Sequence, residues 1–93
     1  MAHSVIEDIE THVVDRVIRR KIIKTDDPQY LSGYRYALHY AYTDSERTIL
    51  RYDNGNETVG WHERHTPDSV TEIEFPGMMK LRDRFIETTE EQS

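Results

Sequence analysis

Arg51-Tyr52-Asp53-Asn54 and Trp61-His62-Glu63-Arg64-His65 fall within fifteen residues and bring together two Arg, two His, an Asp, an Asn, a Tyr and a Trp. Imidazoles move protons near neutral pH, and guanidinium groups grip phosphate through a planar fork of donors. A plain amphipathic pattern needs none of these residues, so proton transfer next to a phosphate is the chemistry this stretch offers. The bland reading is that polar side chains after a hairpin are simply solvated, and Asp53-Asn54-Gly55 is a good turn by itself.

The rest of the chain must hold such a site, and its composition limits how. At 93 residues and 35% hydrophobic content there is material for one domain with a thin core. A homodimer or a stable heteromeric complex is one way to reach stability from there. Without cysteine, neither disulfides nor thiolate metal sites are available. No apolar run has membrane-spanning length and no signal-peptide pattern opens the chain, which points to a cytoplasmic protein with no membrane partner. The net charge of −6 argues against a general coat for nucleic acid but not against a local basic cleft. The acidity suits either a strongly solvated surface or a face for a basic partner.

Ser4-Val5-Ile6-Glu7 fits a capping box, and Ile6, Ile9 and Val13 recur at helical spacing, which predicts a helix to about Thr11. The β-branched pairs Val13-Val14, Val17-Ile18 and Ile22-Ile23 suit a strand over roughly 14–24. Tyr34 to Tyr42 alternates strictly: Tyr34, Tyr36, Leu38, Tyr40 and Tyr42 share one face, and Arg35, Ala37, His39 and Ala41 the other. Arg47 to Tyr52 returns as its hairpin partner, and Val70 to Phe75 makes a further strand ended by Pro76-Gly77. Met78, Leu81 and Phe85 give an amphipathic closing helix, with a polar tail from about Glu87. The expected fold is α+β, with an antiparallel sheet of about four strands and a helix at each end, in a single domain over 1–93.

The Tyr34-x-Tyr36-x-Leu38 strand, the strand ending Arg51-Tyr52-Asp53-Asn54 and the His62-x-Arg64-His65 element together resemble the TumE family over roughly positions 30–88. These are small toxins of bacterial and archaeal toxin–antitoxin pairs, usually encoded beside a helix-turn-helix antitoxin. The resemblance implies an endoribonuclease analogous to RelE-type messenger-RNA interferases, with RNA and a cognate helix-turn-helix antitoxin as partners. Cleavage by the ribose 2′-hydroxyl needs a base, an acid and a cation on the phosphorane. His62, His65, Arg51 and Asp53 are the expected catalytic set, working without metal or other cofactor. Arg64, Asn54, Tyr52 and Trp61 are the expected RNA-binding set, with Tyr52 and Trp61 suited to stacking on an unpaired base.

Other readings stand beside this one. His62 and His65 with Asp53 or His39 can hold zinc or another divalent ion, although a spacing of three suits a helix and this stretch reads as loop or strand. His39 is most simply a half-buried histidine bonded to a neighbour. The basic stretch from Arg16 to Lys24 suits an RNA backbone or a solvated strand edge. The rival to an enzyme is a non-enzymatic binding or regulatory module, or a catalytically inactive relative, working through protein contacts. An enzyme gathers His62, His65, Arg51 and Asp53 around one concavity, whereas a module scatters them and exposes a flat apolar patch.

Overall fold

A computed structural model describes residues 3–55 and 61–92. Six antiparallel strands follow one another across a single sheet, in the order β1 (His3–Val13), β2 (Arg16–Thr25), β3 (Tyr34–Tyr42), β4 (Thr48–Asp53), β5 (Glu63–His65) and β6 (Val70–Glu72). Helix α1 (Met78–Gln92) closes the chain. Gly77 starts it: its φ of 109° excludes a side-chain-bearing residue, and its carbonyl accepts the Leu81 amide at 3.0 Å.

Alternation in β3 sets the two faces of the sheet. Tyr36, Leu38 and Tyr40 join Ile22, Leu50 and Tyr52 beneath Met78, Leu81 and Phe85 of the helix, and all nine are buried. Tyr52 meets Phe85 edge-on at 6.4 Å. Burial of this row drives the layers together, and among the described residues the other face of the sheet has no covering element.

The α+β class with one antiparallel sheet holds, but with six strands rather than four and one helix rather than two. The expected N-terminal helix is strand β1. Its helical spacing is a coincidence: a bulge between Val5 and Glu7 breaks the two-residue alternation that would have marked a strand. Ser4 therefore pairs with Lys24 in the ladder and caps nothing. Strand β6 is shorter than its sequence span, and the helix runs on through the polar residues to Gln92.

Almost all of β1 is exposed, with Glu7 the half-buried exception. Its carboxylate accepts from Arg20 Nε and, at 2.9 Å, from Arg82 Nε of α1, tying the edge strand to the helix. Burial works to raise the Glu7 pKa, and the two guanidinium groups overcome it, so the carboxyl titrates below its ordinary range.

Candidate active site

Two rows of side chains cross the open face, fixed by strand register alone. One row runs Glu10, Arg19, His39, Arg51, His65, and the next runs Asp8, Lys21, Ala37, Asp53, Glu63, Glu72. Directly paired residues on neighbouring strands share a face and lie about 5 Å apart at Cβ. The register thus concentrates chemistry that the sequence spreads from position 8 to position 72.

Asp53 is at the centre and is 2% exposed. Arg51 Nε lies 2.9 Å and His65 Nε2 3.2 Å from its Oδ2. Arg51 makes an ion pair and His65 makes one only when its ring is protonated, and none of these atoms has a hydrogen-bond partner among the described residues. Asp53 itself is fixed from the next residue. The buried Asn54 carboxamide donates to the Tyr34 carbonyl at 2.7 Å and accepts the Tyr36 amide at 3.0 Å, continuing the β3–β4 ladder with a side chain where the strand ends.

His39 Nε2 is 2.8 Å from Thr48 Oγ1. Burial, then Arg51 and Arg19, hold its pKa below the ordinary imidazole value, so it is neutral at pH 7. Lys21, Arg35, Ala37, Arg51, Asp53 and Gly55 line a shallow depression beside it. A second one, over Arg19, Lys21, His39 and Arg51, adjoins it.

Of the expected catalytic set, Arg51, Asp53 and His65 come together here, and His62 does not. Its ring stacks on Phe75 at 4.2 Å, and its Nδ1 is 2.9 Å from the Tyr36 hydroxyl on the helix side. Burial lowers the His62 pKa, while the Tyr36 hydroxyl is pushed strongly up by burial, then by Asp53 and Tyr52. The Tyr36 hydroxyl thus shares a hydrogen bond with a neutral imidazole, its direction set by the ring's tautomer. Of the expected RNA-binding set, Tyr52 and Asn54 are buried and offer no face to a ligand. Arg64 pairs with Tyr52 and so shares the helix side, while Trp61 is exposed.

The sequence model of the toxin TumE matches residues 3–93. This chain belongs to the TumE toxin family. The match takes in the N-terminal hairpin, beyond the blocks that carry the resemblance in sequence. No curated protein and no solved structure matches the chain. As a TumE-family toxin it implies an antitoxin partner. None of the described helices is long and apolar enough to cross a membrane.

Proposed function

We propose that this TumE-family chain disables RNA by metal-independent endonucleolytic cleavage on the open face of its sheet. The observation that carries the reading is the row His39, Arg51, His65, in which a guanidinium sits between two imidazoles on adjacent strands. A strand spacing of about 4.8 Å puts the two histidine backbones roughly 10 Å apart, enough for one phosphodiester between them.

His39, kept neutral, is the base that takes the 2′-hydroxyl proton. The 2′-oxygen then bonds to phosphorus while the bond to the 5′-oxygen breaks. His65, held beside Asp53, gives that leaving oxygen its proton when it carries the imidazolium form. Arg51 stabilises the charge on the phosphorane, and Lys21, Arg35 and Arg19 hold flanking phosphates. The products are a 2′,3′-cyclic phosphate and a 5′-hydroxyl. The antitoxin in this reading is a helix-turn-helix protein that covers the open face.

The test is cleavage of single-stranded RNA in chelator by the parent and by His39→Ala, Arg51→Ala and His65→Ala. Each replacement should reduce the rate by about 100-fold or more, as loss of an acid, base or charge-stabilising group does. Undiminished cleavage by folded His65→Ala sinks the scheme.

One feature favours the rival binding module. Val5, Ile6, Ile9 and Val14 stand exposed along the β1–β2 hairpin, apolar surface suited to a protein partner or a second copy in a homodimer. Equal growth of a host expressing the parent or His65→Ala, at matched soluble level, favours that module.

A further inference from the structure

Across β4, β5 and β6 the register lines up three carboxylates on the open face: Asp53 opposite Glu63, and Glu63 opposite Glu72. Like charges paired directly across strands are destabilising, and here Asp53, at one end of the row, is almost wholly buried and Glu63 beside it half-buried. Such a row calls for a counter-cation. Arg51 and His65 approach Asp53 Oδ2 but make no hydrogen bond to it. Both Asp53 oxygens, Glu63 Oε1 and His65 Nε2 are buried and lack hydrogen-bond partners among the described residues. Buried polar atoms left this way are uncommon, and several aimed at one point mark a place where something else binds.

We propose that Asp53, Glu63 and His65 form a binding site for one divalent first-row metal ion, zinc above all. Their donor atoms lie within 4.8 Å of one another. An ion about 2.1 Å from each donor bridges atoms up to roughly 4.2 Å apart, so a small torsion of the half-buried Glu63 closes the set. Two carboxylates and an imidazole suit a borderline ion better than magnesium, and affinity should rise from manganese to zinc. The ion neutralises the carboxylate row and leaves the Arg51 guanidinium to phosphate. It also takes Nε2 of His65 out of proton transfer, so ion and RNA cleavage exclude each other at this site. The ligand set contains Glu63, which the spacing of the two histidines does not suggest, and omits His62 and His39.

Calorimetry of untagged, chelator-stripped protein with ZnCl2 tests the proposal without RNA, so it succeeds or fails independently of the cleavage scheme. One equivalent should bind to the parent, and binding should weaken by at least about tenfold in Glu63→Gln and in His65→Asn, the loss that even an outer ligand partner causes. Glu63→Gln is isosteric; its circular dichroism should match the parent, and it decides the matter if His65→Asn misfolds. His12→Asn, which removes the exposed His12–Glu10 pair, should bind as the parent does. Absence of saturable binding, equal affinity in Glu63→Gln, or loss in His12→Asn instead overturns the proposal.

Discussion

Replacing His62 and His65 one at a time separates a packing contact from a chemical one. His62→Ala removes a stacked ring and leaves the buried Tyr36 hydroxyl without its hydrogen-bond partner. It should lower stability by about 1–3 kcal/mol in urea unfolding while the residual folded protein keeps its RNA activity. His65→Ala should do the reverse. The two histidines look equivalent in the sequence because they sit three apart, and only the strand register puts them on opposite faces. Asn54 offers a sharper stability test. Its carboxamide serves one donor and one acceptor of β3, so Asn54→Ala leaves both unmade in a buried place and should cost about 1–3 kcal/mol. An unchanged denaturation midpoint would show that the ladder ends at Asp53 without help.

At the scale of elements, the β1–β2 hairpin carries both a strained turn and the plainest pH response. Val14 turns the chain with a φ of 55°, a left-handed conformation that disfavours a β-branched residue by about 1–2 kcal/mol. Val14→Asn keeps the turn without that branching and should stabilise by about 1 kcal/mol, raising Tm by roughly 4–8 °C. Glu7 supplies the pH response. Its folded pKa is depressed, so its contribution is complete above the ordinary carboxyl value of 4.5 and is lost as pH falls through the lower folded value. Glu7→Gln should therefore be less stable than the parent at pH 7, with the gap closing below about pH 4.5 in chemical denaturation. The same hairpin shows what a sequence conceals. Strand β3 is legible because ten-ångström layers demand strict alternation of its tyrosines with small and polar residues. In β1, one extra residue at the bulge makes Ile6, Ile9 and Val13 mimic a helical stripe. Strand β5 has three residues, too few for any period to register. Arg51, Asp53 and His65 could be read as a cluster because they are near one another in the chain. Arg19, Lys21, Arg35, His39 and Glu63 join them through pairings with strands that local reading cannot align. The signal was present in part: His39 and Arg35 share the face of β3 opposite its tyrosines.

For the molecule as a whole, the puzzle is an acidic chain of net charge −6 assigned to RNA. Distribution eases it, because Arg19, Lys21, Arg35 and Arg51 gather around the two adjoining depressions of the open face, interleaved there with Asp8, Glu10 and Asp53, while the acids of the helix lie on the opposite side of the sheet. The four cations are not equal. Arg19 is bonded to Glu10, and Arg51 is held beside Asp53. Lys21 and Arg35 are exposed and are the ones most open to phosphate. Each phosphate contact on a single strand contributes about −0.7 to the slope of log affinity against log salt. In the cleavage-deficient His65→Ala background, Lys21→Gln with Arg35→Gln should weaken RNA binding at low salt and flatten that slope by about 1.4. Replacing Lys80 and Arg84 on the helix side by Gln should leave it unchanged, since they border a different depression. If the helix-side pair changes the slope and the open-face pair does not, RNA lies across the helix, and His39, Arg51 and His65 are left without a substrate.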